Sequence, residues 1–316
     1  MALRIAFFGT PGFAVPTLAH VIGSRHAVAG VITQPDRPRG RGQQITDGPV
    51  KALALGSGLQ VFQPERLSRD IFEAPLTSLE ADIGVVAAYG KLLPDWLLAA
   101  LPRGLINVHA SLLPRYRSAA PIHRAVIAGD RETGVTIMRV VKALDAGPII
   151  TTVTVPIGPD DTTTMIASIL AVRGAALLVE ALDAIEAGSA IETPQNDALA
   201  TYAPKLTKSE GTVDWTRPAQ DIHNLIRGLW PWPHANTFLG QKRFILHRSR
   251  LSQADAGTAR PGTIITASAL DGLHVAGGGA TALEILDLQL EGKRVLSARE
   301  AMAAKTLIPG ARFSSP

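Results

Sequence analysis

Residues 83–110 read IGVVAAYGKLLPDWLLAALPRGLINVHA. Two apolar runs rich in Ile and Val, 83–90 and 104–110, are closed off by Gly, and little polar alternation interrupts them. A continuous apolar run between turn formers suits a strand covered on both faces, as in a parallel sheet between two helical layers. Working outward, RIAFFGT (4–10), AVAGVITQ (27–34) and LQVFQP (59–64) have the same texture. The segments between them are long enough for crossover helices. The βαβ pattern therefore predicts the α/β class, with a doubly wound, mostly parallel sheet. TGVTIMRV (133–140) and PIITTVTVPI (148–157) read as a further strand pair, for which an antiparallel arrangement is open. From Asp161 the sequence opens a long helix. Met165, Ile166, Ile169, Leu170, Leu177, Leu178, Leu182 and Ile185 sit near i, i+3, i+4 spacing, and Gly188 supplies the stop.

The 316 residues are too many for one typical core and about right for two domains. Residues 1–189 read as the first, 190–207 as an irregular polar linker holding Pro194 and Pro204, and 208–316 as the second. In the second, Pro218 starts a helix with Ile222, Leu225, Ile226 and Leu229 on one face. FILHRSRL, GTIITASA, GLHVAG and TALEILDLQL follow as short strand candidates, and Ser297 with Glu300 forms a capping box for a last short helix. A small OB-like β-barrel with flanking helices is expected. Hydrophobic residues at 46% and charged residues at 18% fit a globular chain and argue against disorder. Cysteine is absent, which excludes disulfides and thiolate metal sites and agrees with a reducing, cytoplasmic setting. The apolar start is broken by Gly9, Pro11 and Gly12 and reads as strand and turn rather than signal peptide. No segment reaches 18 uninterrupted apolar residues, so no membrane span is expected.

The net charge of +4 is uneven. From Lys208 onward there are 13 Lys and Arg against 9 Asp and Glu, and the rest of the chain is neutral. Such a bias suits an acidic partner such as nucleic acid, and it also fits a soluble surface with chance asymmetry.

The turn FFGTPGFAVP invites a nucleotide reading, but a dinucleotide fingerprint needs G-x-G-x-x-G after the first strand. Here the glycines are Gly9 and Gly12 with Pro11 between them, so the fingerprint fails. What stays open is a tight strand-to-helix turn, with or without a part in lining a substrate crevice.

Asn107 and His109 end the fifth strand candidate. Alternation turns i and i+2 to one face, and at a strand's carboxyl end in an open α/β sheet that face meets the ligand crevice. An amide beside an imidazole can hold the oxygen of a tetrahedral intermediate. A His in this role calls for an orienting carboxylate, and Asp145, in the Gly-containing turn LDAGPII, is the candidate. The plainer reading is that Asn107 and His109 satisfy backbone groups and Asp145 forms a turn.

The stretch NVHASLLPRYRSAAPIHRAVIAGDRETGVTIMRVVKALDAGPI resembles the folate-dependent formyltransferases, in its Asn–x–His–x–Ser–Leu–Leu–Pro string and its distant Asp–x–Gly turn. The likeness extends over essentially the whole chain, through FFGTPGFAVP, QPDRPRGRGQQ and the extra C-terminal domain. It implies a Rossmann-like formyltransferase domain, 10-formyltetrahydrofolate as donor co-substrate, and the α-amino group of methionyl initiator tRNA as acceptor. Asn107 and His109 would hold the developing oxyanion, and Asp145 would orient His109 and help move the proton. No covalent enzyme intermediate and no metal are needed. The resemblance makes Ser111, Leu112, Leu113 and Pro114 a folate-binding segment. It sets Tyr89, Gly90, Lys91, Leu92 and Leu93 along the pterin pocket through backbone groups. Arg115 and Arg117 are expected near the site entrance, facing tRNA or the folate tail. Where the family usually has Gly, this chain has Ser118, and a Cβ there bears on the loop's conformation.

Two basic stretches remain. In QPDRPRGRGQQITDGPVK, Arg37, Arg39, Arg41 and Lys51 face only Asp36 and Asp47. On residues alone this is a solvated loop; the resemblance implies contact with the tRNA acceptor stem. Lys242, Arg243, Arg248 and Arg250 flank one C-terminal strand candidate, with Arg248 and Arg250 on one face, and are expected to contact the tRNA body. A monomer is expected. Two rivals stand beside this reading: a formyltransferase acting on a nucleotide or amino-sugar amine, and a non-enzymatic RNA-binding protein.

Overall fold

The computed structural model describes residues 2–39, 44–303 and 305–315; of 39, 44 and 45 it describes the main chain alone. The apolar runs form strands whose side chains are covered on both faces: all five residues of 83–87 are buried. In chain order the elements are β1 (Arg4–Gly9), α1 (Val15–Ile22), β2 (Ala27–Ile32), β3 (Pro38–Arg39), β4 (Gln44–Ile45), α2 (Pro49–Gly56), β5 (Val61–Phe62), α3 (Arg69–Ser78), β6 (Ile83–Ala87), α4 (Asp95–Leu98), β7 (Leu105–His109), α5 (Pro121–Ala128), β8 (Glu132–Arg139), β9 (Ile149–Pro156) and α6 (Thr163–Ala187).

A seven-stranded sheet has the order β5-β2-β1-β6-β7-β8-β9. The strands from β5 to β7 are parallel, and β8 runs antiparallel to β7. The order reverses between β1 and β6, which opens a crevice at the carboxyl ends of the strands. The ends are tied together there. Gln34, just past β2, takes Thr10 Oγ1 on its main-chain N–H at 3.1 Å and gives its side-chain amide to the Tyr89 carbonyl at 3.1 Å. Gly9 closes β1 because a Cβ would lie 2.7 Å from the Phe7 ring and 3.0 Å from the Ala87 carbonyl oxygen. The turn FFGTPGF is thus shaped by close packing.

α6 is long and apolar enough to match a membrane span by composition, yet half of that stretch is buried within the protein. Ile166, Leu170, Leu178, Leu182 and Ile185 point inward, whereas Met165 and Ile169, expected on the same face, are exposed. Gly188 ends the helix with φ +70°.

The chain divides into two compact units that are not contiguous in sequence: residues 1–121, 133–155 and 167–203, and residues 122–132, 156–166 and 204–316. The second gathers α5 and the start of α6 through polar ties. Arg124 pairs with Glu210 and donates to the Pro204 carbonyl at 3.0 Å, and Thr163 donates to the Gly228 carbonyl at 2.8 Å. Residues 189–203 carry only one short 3-10 turn, yet they are bound into the first unit. Ile149 and Thr193 exchange main-chain hydrogen bonds of 2.8 Å each, and Arg117 N–H donates to the Thr201 carbonyl at 2.9 Å.

The second unit continues with α7 (Ala219–Gly228), β10 (Ala235–Leu239), β11 (Lys242–Ser252), β12 (Ile264–Ser268), β13 (Gly272–Ala276), β14 (Ala282–Leu290), β15 (Leu296–Ser297) and α8 (Ala298–Met302). Its antiparallel sheet has the order β10-β11-β14-β13-β12, with β15 on β14, so the ladder ends at β10 and β12. Ile222 and Ile226 of α7 pack into a core with Trp215, Phe244, Leu273, Ile285 and Phe313. Ser297 and Glu300 form the expected capping box at α8. The last residues reach both ends of the ladder: Phe238 and Ser314 exchange hydrogen bonds of 2.9 and 2.8 Å, and Phe313 N–H donates to the Gly262 carbonyl at 2.8 Å.

Candidate active site

β7 pairs with β6 on one side and β8 on the other, which fixes the direction of its last residues. Asn107 is partly exposed, and its side chain makes no hydrogen bond among the described residues. His109 is buried. Its Nε2 lies 3.0 Å from the Tyr116 carbonyl oxygen, and its Nδ1 lies 3.7 Å from Asp145 Oδ2. Both ring nitrogens therefore face acceptors, and the closer is a main-chain carbonyl, which carries no signal in the sequence. The Asp145 carboxylate is mostly buried and accepts the Ser118 N–H at 2.8 Å. The fold thus brings His109 and Asp145 together at the carboxyl edge of the sheet, with Asn107 two residues earlier on the same strand.

The loops that reach His109 are held in conformations their own residues disfavour. Tyr116, Ser118 and Asp145 have φ of +61°, +97° and +50°. Such conformations persist where the surroundings over-determine them. Gly147, in the Asp–x–Gly turn, must lack a side chain: a Cβ would stand 1.9 Å from the Arg139 carbonyl oxygen. Thr136, opposite His109 on β8, donates to the Ser111 carbonyl at 2.7 Å and accepts the Leu113 N–H at 3.2 Å. The Ser111 hydroxyl donates to the Arg115 carbonyl at 2.7 Å. The segment Ser111, Leu112, Leu113, Pro114 is pinned by these bonds and by Thr201 N–H on the Pro114 carbonyl at 3.3 Å.

At the end of β6 the Tyr89 ring packs into the core, 5.7 Å from Phe8 in edge contact. Its hydroxyl has no partner among the described residues, and burial pushes it up to about 12. Gly90 has φ +83°. Lys91 Nζ donates to the Glu65 carbonyl at 2.7 Å, and Leu92 is 81% exposed. Leu93 is partly buried against the core.

Arg117 is not at an entrance. It is buried, and its guanidinium is held by Gln195 and Asp197, so it braces the loop instead of meeting a substrate. Arg115 is exposed and lies over the Tyr116 ring at 5.0 Å.

Of the basic loop, Lys51 pairs with Asp36 and, at 2.8 Å, with Asp47; the Lys51 ammonium holds the Asp36 carboxyl below its ordinary value. Arg37 is exposed, while Arg41 and the side chain of Arg39 lie outside the described residues. On β11, Arg243 pairs with Glu291 at 2.6 Å, Arg248 with Asp287, and Arg250 with Glu284 at 2.6 Å. Arg248 and Arg250 do share an exposed face, but acids on β14 balance them. Lys242 is exposed and makes no ion pair among the described residues. No group of three or more His, Cys, Asp or Glu among the described residues is placed to hold a metal.

Comparison with known proteins fits this geometry. The formyl transferase family model matches residues 3–182, and the model of the formyl transferase C-terminal domain matches residues 205–306. The chain is 44% identical to methionyl-tRNA formyltransferase of Geotalea daltonii over 98% of each chain. It is 45% identical to methionyl-tRNA formyltransferase of Methylobacillus flagellatus over 99% of this chain and 100% of that protein. Among solved structures it shares its fold with an N-formyltransferase from Helicobacter canadensis in complex with folinic acid and dTDP-3-aminofucose. The TM-score is 0.68 at 16% identity, covering 90% of this chain and 99% of that one.

Proposed function

The chain belongs to the formyl transferase family, and from that premise we propose that it transfers the formyl group of 10-formyltetrahydrofolate to the α-amino group of methionyl initiator tRNA. The observation that carries the reading is the Asn107 amide, without a hydrogen-bond partner among the described residues, two residues before His109 on the same strand, with Asp145 Oδ2 3.7 Å from the ring. When the amine attacks the formyl carbon, negative charge gathers on the formyl oxygen. Asn107 supplies one donor for it. The second comes from His109 Nδ1, since Nε2 is taken by the Tyr116 carbonyl; at 3.7 Å from Asp145, Nδ1 is not hydrogen-bonded to it. Asp145 steadies the imidazole and accepts the proton the amine gives up, for return to the leaving folate nitrogen. We assign the folate donor to Tyr89, Gly90, Lys91, Leu92 and Leu93, of which Leu92 offers exposed apolar surface, and to the pinned segment Ser111, Leu112, Leu113, Pro114.

For the tRNA we assign Arg37, Arg39 and Arg41 to the acceptor stem, and Lys242, Arg243, Arg248 and Arg250 to the tRNA body. We assign the chemistry and the acceptor-stem contacts to residues 1–189, with 190–203 bound against them, and binding of the tRNA body to 208–316. The contacts of residues 310–314 with both ends of the C-terminal ladder support reading it as an OB-like barrel with that segment as its seam. We take the enzyme to act as a monomer in the cytoplasm, without a metal. Because three of the four β11 cations are paired, the basic face has a specific test. Glu284→Gln with Asp287→Asn frees two arginines, and tRNA binding should tighten with a salt slope steeper by up to about two. Unchanged binding would remove β11 from the tRNA face. The function itself is tested by formyl transfer to methionyl initiator tRNA against glycinamide ribonucleotide and an amino-sugar nucleotide. Preference for either small amine would overturn it.

A further inference from the structure

Gln195 lies in a stretch, residues 191–199, that is otherwise exposed, and it is partly buried. The reciprocal Ile149 and Thr193 hydrogen bonds lay this stretch beside the start of β9, so that Gln195 meets the Asp145 turn. Its amide is fully used. Nε2 donates to the Asp145 and Gly147 carbonyls, both at 2.8 Å. Oε1 accepts from Arg117 Nε at 3.1 Å and Nη2 at 2.8 Å. Guanidinium only donates and carbonyls only accept, so a single orientation of the amide satisfies all four bonds.

The two segments it joins are those that touch His109 from either side. Tyr116 presents the carbonyl 3.0 Å from Nε2, and Asp145 presents the carboxylate 3.7 Å from Nδ1. Arg117 is next to Tyr116 in the chain, so fixing its guanidinium to the Asp145 turn sets the spacing of the two acceptors. Asp197 Oδ1, 2.7 Å from Arg117 Nη2, supplies the counter-charge for a guanidinium whose side chain is only 4% exposed. Besides this brace, the three left-handed non-glycine residues are held by the Ser118 amide contact, the Thr201 hydroxyl on the Tyr116 N–H, and main-chain bonds between Arg117 and residues Thr201 and Ala203.

We propose that Gln195 is a positioning residue for formyl transfer: through Arg117 on one side and the Asp145 turn on the other, it sets the geometry around His109. The inference rests on the reading of His109 and Asp145 as the reacting pair. Gln195→Glu keeps the shape but turns both donors into oxygens facing carbonyls, and Gln195→Ala removes the brace. Either should lower kcat about 10- to 100-fold, the scale of a misplacement near one ångström, with both KM values within about threefold. The decisive readout is a double-mutant cycle with Asp145→Asn. If Gln195 acts through Asp145, Gln195→Glu should cost less than about threefold in the Asp145→Asn background. Full additivity, or an unchanged kcat in Gln195→Glu, overturns the proposal. So does a loss of activity that matches a loss of folded protein with an unaltered pH–rate profile. Should Gln195→Ala not fold, Gln195→Glu alone completes the cycle. If instead Asp145→Asn and His109→Asn both retain full activity beside an active wild type, the underlying reading fails, and that result is distinct from additivity.

Discussion

Ser118 is a side chain where the backbone asks for none. Its φ of +97° lies in the left-handed half of the map, where a Cβ is crowded and Gly is not. Its amide is fixed by Asp145 Oδ2 at 2.8 Å, which holds the residue there whatever its side chain. The hydroxyl makes no hydrogen bond among the described residues, so little is lost with it. A non-glycine residue in such a region costs about 1–3 kcal/mol. Glycine returns about 0.4–1 kcal/mol of that by loosening the unfolded chain. Ser118→Gly should therefore stabilise the protein by about 0.5–2 kcal/mol, raising Tm by about 2–6 °C for a unit of this size. Ser118→Ala is the control: it removes the hydroxyl, keeps the Cβ and should melt within about 1 °C of the parent. Calorimetry of the three proteins, with formyl transfer measured on each, decides it. The Asp145 contact is main chain, so kcat should stay within about threefold in both variants. A Gly variant that melts no higher than the Ala variant would refute the strain argument.

His109→Asn should lower kcat about 10²–10³-fold while folate binding persists, read by turnover and by ligand titration of the same preparation; near-normal kcat would clear His109 of the chemistry. Asp145→Asn keeps an oxygen for the Ser118 amide but removes the charge beside His109, so turnover should fall and the pH–rate profile should move; an unchanged profile leaves Asp145 a turn residue. Burial pushes the imidazoles of His223 and His234 below their ordinary 6.5. The unfolded chain then binds protons first, so stability from these neutral rings is complete above about pH 6.5 and drains away as pH falls below it. Urea midpoints should decline across that window and decline less in His223→Gln; a midpoint that rises on acidification would contradict this.

What the sequence disclosed follows from the range of the forces involved. β1, β2, β6 and β7 were legible because a strand covered on both faces leaves a continuous apolar run. β5 shrank to Val61–Phe62 because it lies at the sheet's edge, where fewer residues pair. β10 (Ala235–Leu239) was missed: it follows the loop-like WPWPH and carries Asn236 and Thr237, both buried by tertiary packing rather than by pattern. Asn107 and His109 could be found because strand alternation is local. The Tyr116 carbonyl, Thr136, Thr201 and Gln195 could not, since main-chain acceptors carry no sequence signal and the Gln195 bonds span 48 to 78 residues. Arg117 was misplaced for the same reason, its partners being 78 and 80 residues away. The acids that pair with the β11 arginines were within reach: Glu284, Asp287 and Glu291 belong to TALEILDLQLEG, the strand register sets the first two opposite Arg250 and Arg248, and Glu291 N–H donates to the Arg243 carbonyl.

Local preference and tertiary contact disagree most where the chemistry is assigned. Tyr116, Ser118 and Asp145 each occupy a left-handed backbone that their side chains disfavour, and all three lie within one contact of His109 or of its neighbours. Elsewhere in the first unit the same conformation falls mainly to glycine, at Gly58, Gly90, Gly104 and Gly188. The strained residues are secured by side chains of ordinary type at a distance, Thr201 on Tyr116 and Gln195 on the Asp145 turn, while Thr136 pins the neighbouring Ser111 and Leu113 peptide groups. A site made this way has its donors aimed before the substrates arrive, which is the condition for electrostatic stabilisation without reorganisation. It also predicts where tolerance is lowest. Substitutions that spare Asn107, His109 and Asp145 but remove a securing amide or hydroxyl should act on turnover more than on binding, because what they release is geometry around the ring.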